Sequence, residues 1–213
     1  MASRSRNRRS ERRTIKRRYS DLPPHQPTAR FMTAELQTIF TIGVYGSSEE
    51  SFFGALVDNE IELFIDIRAR RGMRGSKYSY ANSTALQEKL KELEIYYAHL
   101  KELAPTKEIR ALQWQADKEE NTRKRDRTEL SPAYVRAYNK EILKFGKRRE
   151  DRILDPAKVL EMAKAAAGFP EGRPLQRYVL FCVEQNADAC HRSLVAARFR
   201  DKMGGSVKHL KVV

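Results

Sequence analysis

The sequence predicts an α/β fold: a three-layer, mostly parallel open sheet of about five strands with helices on both faces. Two observations predict it. Short apolar runs alternate along the chain with stretches of helical period, the order that builds a parallel sheet. Two of those runs, Leu63-Phe64-Ile65 and Tyr178-Val179-Leu180-Phe181, are apolar at consecutive positions. A strand of a one-sided sheet would alternate, so both are expected to be covered on both faces.

The elements follow in order. Gln37–Gly43 reads as a first strand ending in a turn. Ser47 and Glu50 form a capping-box pattern for a helix over roughly 48–57, with Phe52, Phe53 and Leu56 on its apolar side. Ile61–Arg68 is the second strand, followed by a Gly- and Arg-rich loop, Ala69–Asn82. Leu86, Leu90 and Leu93 mark a helix, and Ile95–His99 a short third strand. Residues 100–130 are polar and give only fragments of helical pattern. After Ser131-Pro132, the positions Tyr134, Tyr138, Ile142 and Phe145 mark the next helix. Asp155-Pro156 is an N-cap followed by Pro at N1, and Gly168 ends that helix. Arg177–Val183 is a buried strand, Cys190–Met203 a helix stopped by Gly204-Gly205, and Val207–Val212 the last strand.

Charge sets the class of partner. Lys and Arg outnumber Asp and Glu by 42 to 28, a net +14. Residues 1–30 are almost without apolar side chains and hold ten Lys/Arg against Glu11 and Asp21; the rest of the chain keeps +6. The first segment reads as a disordered basic arm, and 31–213 as one α/β domain that is itself basic. Such a surface is expected to meet a polyanion, with nucleic acid, DNA ahead of RNA, as the expected partner. No stretch approaches the length of a membrane span, and the N-terminus has no apolar core of a secretory signal. Two cysteines are too few for a disulfide scaffold, so a cytoplasmic protein with reduced thiols is expected. No cofactor is expected.

Sites of open α/β sheets form beyond the carboxyl ends of the strands, so the residues there are the candidates. The first strand delivers Gly43, Tyr45 and Ser47, a turn able to hold phosphate against a helix N-terminus. It lacks a full G-x-G-x-x-G and a P-loop lysine. The second delivers Asp66 and Arg68, then Arg70, Arg71, Arg74, Tyr78 and Tyr80. Arginine forks grip phosphate, and tyrosines stack on bases. Asp66 is either a general base held by arginine or half of a structural ion pair with Arg68, which lies on its own face of the strand. The third strand delivers His99 and Lys101. The fourth delivers Cys182 and Glu184, then Cys190, His191 and Arg192 opening a helix. A phosphatase loop needs C-x5-R, and neither cysteine has it. Both thiols and His191 could bind zinc, but C-x7-C-H is not a standard spacing, so no metal is assigned. A thiolate at the helix N-terminus would be activated, or His191 and Arg192 could bind an anion with Glu184 as acid or base.

Four segments together resemble the family catalogued as domain of unknown function 488, over roughly residues 38–205. They are Thr41-Ile42-Gly43, Phe64-Ile65-Asp66-Ile67-Arg68, the run Ile95–Leu103 with its His99-Leu100, and Cys182-Val183-Glu184 followed by Cys190-His191-Arg192. Many members carry a histidine after the T-I-G turn where this chain has Val44-Tyr45. The usual proline after D-x-R is replaced here by the Arg70–Arg74 run, which marks an arginine-rich branch. The resemblance implies an α/β fold and a site, and supplies no reaction.

The function expected is a nucleic-acid-binding protein that acts on DNA or RNA. It would hydrolyse a modified base or the backbone, glycosylase-like or nuclease-like, as DNA repair requires. Asp66, Glu184, His191 and Cys190 are the catalytic candidates. A binding module without catalysis and a thiol or small-molecule phosphate enzyme are the alternatives.

Overall fold

A computed structural model describes residues 38–73, 75–123, 126–143 and 155–212. The basic arm 1–30, Arg74 and Phe145 lie outside the described residues. Five strands form an all-parallel sheet: β1 (Thr38–Ile42), β2 (Leu63–Asp66), β3 (Tyr96–His99), β4 (Tyr178–Phe181) and β5 (Ser206–Leu210), in the order β3-β2-β4-β1-β5. The described helices are α1 (Glu49–Asp58), α2 (Ser83–Glu92), α3 (Lys107–Glu119), α4 (Pro132–Glu141), α5 (Pro156–Ala167) and α6 (His191–Met203). Among the described residues no helix is long and apolar enough to cross a membrane.

Strand side chains alternate between two separate cores, which is why the central strands are apolar throughout. Leu63, Ile65, Tyr178 and Leu180 pack under α3 to α6. Phe64, Val179 and Phe181, with Phe40 and Ile42, pack under α1 and α2. Aromatic rings fill the second core, with Phe52 against Phe53, Phe64, Tyr80 and Phe181. Each fully buried Leu, Ile or Phe contributes about 1.5–3 kcal/mol.

The topology fixes where a site can form. From β1 the chain travels through α1 to β2 on one face; from β4 it travels through α6 to β5 on the other. β1 and β4 are neighbours, in the register Ile42↔Phe181. Their outgoing connections therefore part company, and a crevice opens between the loops that follow them.

The caps agree with the sequence reading at α5, where Asp155 accepts from the Ala157 N–H at 3.0 Å and Gly168 closes the helix at φ 64°. At α1 the cap differs by one residue: Ser48 is the N-cap, in a capping box with Ser51. Ser47 is turned inward, its hydroxyl donating to the Val44 carbonyl at 2.6 Å and meeting the Tyr80 hydroxyl at 2.7 Å. Its hydroxyl is engaged in the core, and the next serine caps. The polar stretch after β3 resolves into a turn at Lys101–Leu103 and α3, capped by Thr106.

Candidate functional site

The loops after β1 and β4 are tied together by backbone. The N–H groups of Val44 and Tyr45 both donate to the Val183 carbonyl, at 3.3 and 3.0 Å. A Cβ at Gly43 would overlap the Glu184 carbonyl oxygen, so only glycine lets the two loops approach this closely. Arg192, fully buried near the start of α6, donates one guanidinium nitrogen to the Glu184 carbonyl and another, at 2.9 Å, to that of Gln185. The loop after β4 is also braced by the segment before α4. Asn186 donates to the Thr128 carbonyl at 2.8 Å, and the Leu130 N–H donates to the Asp188 carbonyl at 3.2 Å.

Above this junction lies a cleft of about 920 Å³. The Tyr45 and Tyr78 rings, 5.4 Å apart, stand on one side, and the Tyr78 hydroxyl accepts from the Gly46 N–H at 3.1 Å. Lys77 lies 5.2 Å over the Tyr78 ring. Arg123 and Arg127 line another part, and Glu184, Gln185 and Asn186 the floor of the β4 loop. Arg123 pairs with Asp126 at 2.6 Å, and Arg127 pairs with Asp117 on α3. Residues 123–128 fall within the polar stretch 100–130, whose fragments of helical pattern give no sign of a site, although Arg123-Lys124-Arg125-Asp126-Arg127 is itself a cation run.

Asp66 and Arg68 end β2 on the α1/α2 side, and neither reaches this cleft as a lining residue. Asp66 is 0% exposed. Arg68 meets it at both carboxylate oxygens, Nε at 2.9 Å and Nη2 at 2.7 Å, gives Nη1 to the Ala81 carbonyl, and lies 4.5 Å over the Phe181 ring. Tyr97 adds a hydrogen bond to Asp66 at 3.0 Å; burial, then the Asp66 charge, push its hydroxyl up to about 12. This is the ion-pair arrangement named as the alternative for Asp66, and it occupies the fork of Arg68 that phosphate binding would need.

The second polar cluster lies on the other face. Cys182 follows β4, Cys190 caps α6, and His191 is the first residue of that helix; all three are buried. The His191 Nδ1 is 3.8 Å from the Cys182 sulfur and 3.9 Å from that of Cys190, while Nε2 is 3.1 Å from the Ile67 carbonyl beyond β2. Both thiols are free. Donation to the Cys190 sulfur, then burial, push the Cys182 thiol well up. Burial also raises Cys190, but the Cys182 hydrogen bond, His191 and Arg192 outweigh it and hold that thiol well below its usual range. Glu184 is buried, lines the cleft, and its charge acts on Cys182 and on Tyr134 of α4.

The remaining predicted residues divide. Tyr45, Tyr78 and Glu184 line the cleft; Gly43 shapes its base, and Arg70 and Lys101 are exposed. Arg71 acts on the Tyr97 hydroxyl, opposing the rise that burial and Asp66 cause, and His99 donates Nε2–H to the Arg68 carbonyl at 2.9 Å. Ser47, Tyr80 and Arg192 are buried with internal partners.

The family model described as domain of unknown function DUF488 matches residues 48–199, from α1 into α6 and including both polar clusters. No match was found among curated proteins or among solved structures.

Proposed function

The chain belongs to the DUF488 family, and from that premise we propose that it is a cytoplasmic nucleic-acid-binding protein that seats a strand in the cleft between the β1 and β4 loops, with Glu184 as the acid or base acting on it. The observation that carries this reading is the composition of the cleft at the point where the strand connections diverge. Two tyrosine rings, a lysine and two side-chain amides surround it, together with Arg123 and Arg127, which are paired with Asp126 and Asp117, and the carboxylates of Asp126 and Glu184. Rings offer stacking to any base, cations offer attraction to phosphate, and amides offer hydrogen bonds to base edges. The +6 outside the arm and the +8 within it supply the long-range attraction. Glu184 is a buried carboxylate among the residues that line the cleft, the residue type that serves as a general acid or base.

The test is binding of fluorescent single- and double-stranded DNA and RNA across a salt series. Affinity should fall steeply with salt, and removing residues 1–30 should flatten the slope without abolishing binding. Tyr78→Ala should cost about 1–3 kcal/mol of single-strand affinity at every salt concentration, the worth of one stacked base. Lys77→Ala should lower the salt slope by about one unit. Glu184→Gln should keep binding and lose turnover. Affinity that does not rise as salt is lowered would sink the proposal; turnover unchanged in Glu184→Gln would sink its catalytic half.

A further inference from the structure

We propose that Cys182, Cys190 and His191 form a binding site for a thiophilic divalent cation of the zinc class. The inference stands apart from the nucleic-acid reading, because it rests on the cluster of ligand atoms alone. The two sulfurs and one imidazole nitrogen lie within 4.8 Å of one another. Around tetrahedral zinc, with bonds of about 2.3 Å to sulfur and 2.0–2.1 Å to nitrogen, a sulfur and a nitrogen ligand stand about 3.6 Å apart. The observed separations, 3.8 and 3.9 Å, need to close by only a few tenths of an ångström.

The imidazole is oriented for the task. A carbonyl oxygen can only accept, so Nε2 carries the hydrogen that reaches Ile67, and in the neutral ring Nδ1 keeps its lone pair toward the two sulfurs. A second-shell carbonyl fixing the tautomer of a histidine is the usual support of a metal ligand. One sulfur is supported as well. Cys190 caps α6, where the helix N-terminus favours a thiolate.

Charge decides between ion classes. With both thiols ionised in the bound state, a divalent ion with two thiolates and a neutral imidazole is a net-neutral unit. A neutral unit suits a buried site, whereas two bare thiolates do not. Two sulfurs and an imidazole select a borderline-soft ion over magnesium or calcium, which require oxygen ligands. Three protein ligands leave a fourth position for water. The sequence spacing hid the site because its two sulfur ligands come from opposite ends of the loop after β4, and that loop is folded back by Arg192 and Asn186.

The experiment uses the full chain, reduced and stripped of metal, titrated with cobalt(II) and then with zinc(II). One equivalent of cobalt should give a thiolate-to-metal charge-transfer band and the intense visible bands of a tetrahedral ion. Cobalt binding should release the protons the thiols still carry, and zinc should then erase both sets of bands by displacing cobalt, with no further proton release. Cys182→Ser and Cys190→Ser should each lose most of the charge-transfer intensity, and His191→Gln should keep the sulfur bands while weakening affinity by at least tenfold. Should a serine variant fail to fold, thiol titration of the parent decides: with zinc, both thiols should resist alkylation until a chelator is added. A parent that shows no charge-transfer band, or whose thiols alkylate equally with and without zinc, overturns the proposal. So does a non-reduced preparation that returns no free thiols after unfolding in the presence of a chelator, which would mean a Cys182–Cys190 disulfide.

Discussion

The two polar clusters at the carboxyl edge of the sheet differ in what their atoms are left able to do. On the α1/α2 face, Asp66 and Arg68 consume one another: both carboxylate oxygens, the guanidinium Nε and Nη2, and then Nη1, Tyr97 and the Phe181 ring are all committed. On the opposite face, two sulfurs and Nδ1 of His191 lie within 4.8 Å of one another, with only weak S–H hydrogen bonds among them. The first arrangement is finished without a ligand. The second satisfies its orienting bond, to the Ile67 carbonyl, and holds its two sulfurs and Nδ1 to one another only by weak bonds that a metal ion would replace. A buried polar residue at a strand end therefore says little about function until its partners are counted.

The largest effect expected anywhere in the described structure is from opening the finished cluster. Asp66→Ala leaves a buried guanidinium without its counter-charge, and Arg68→Met leaves a buried carboxylate without its own. Each should cost about 3–5 kcal/mol in urea unfolding, read as a shift in midpoint at constant slope. The double variant Asp66→Leu with Arg68→Met should be more stable than either single one, since it removes both charges together. If each single substitution cost no more than a typical point change, about 1 kcal/mol, the pair would not be the closed unit described, and Asp66 would return as a candidate for chemistry.

Gly43 tests the junction beneath the cleft. A Cβ there meets the Glu184 carbonyl oxygen and lies 3.1 Å from an Arg192 nitrogen. Neither neighbour can retreat easily, because Arg192 clamps that same carbonyl. Gly43→Ala should therefore cost about 1–3 kcal/mol, the usual range for forcing an extra group into a packed interior. It should also move Glu184, so nucleic-acid turnover should fall by more than the change in folded fraction accounts for. Equal losses in stability and turnover would mean that the loop adapts and that Glu184 is not held by this contact.

The strands, the two-faced burial of β2 and β4, and the caps at Asp155 and Thr106's neighbourhood differ in how plainly the sequence shows them. Apolar runs and helix stops act locally, so β2, β4, α5 and α6 were legible within a residue or two. Apolar runs do not say which strands pair; that β2 lies beside β4, with Asp66 opposite Phe181, is a finding of the structure. The side on which each polar residue emerges was only half legible. Alternation placed Arg68 with Asp66, but nothing local revealed that the pair would close on itself beneath Ala81 and Tyr97. Arg192 resembled a phosphate ligand because its carbonyl partners, Glu184 and Gln185, meet it only once the loop folds back. Arg123 and Arg127 were missed for a related reason. Their contribution depends on where α3 delivers the chain, and a polar stretch carries no periodicity to say so.

The smallest effect separates two tyrosines that the sequence presents as equals. Tyr78 and Tyr80 both follow the arginine run, and both were candidates to stack on bases. The structure places Tyr78 in the cleft and Tyr80 in the aromatic core, 5.7 Å from Phe52 by ring centroids. The Tyr80 hydroxyl meets the Ser47 hydroxyl at 2.7 Å and donates to the Ser47 carbonyl at 3.2 Å; burial raises its pKa above 10.0, so it stays neutral and able to donate. Tyr80→Phe keeps the ring and removes only these bonds. Ser47 retains its own bond to the Val44 carbonyl at 2.6 Å, so the loss is mainly of one buried acceptor's partner. The cost should be about 1 kcal/mol of stability, with strand affinity unchanged at every salt concentration. Tyr78→Phe, by contrast, gives up the bond from the Gly46 N–H that sets the ring against the β1 loop, so any change should appear in binding before stability. Affinity that falls in Tyr80→Phe and holds in Tyr78→Phe would reverse the assignment and place the bound strand on the α1 side of the loop.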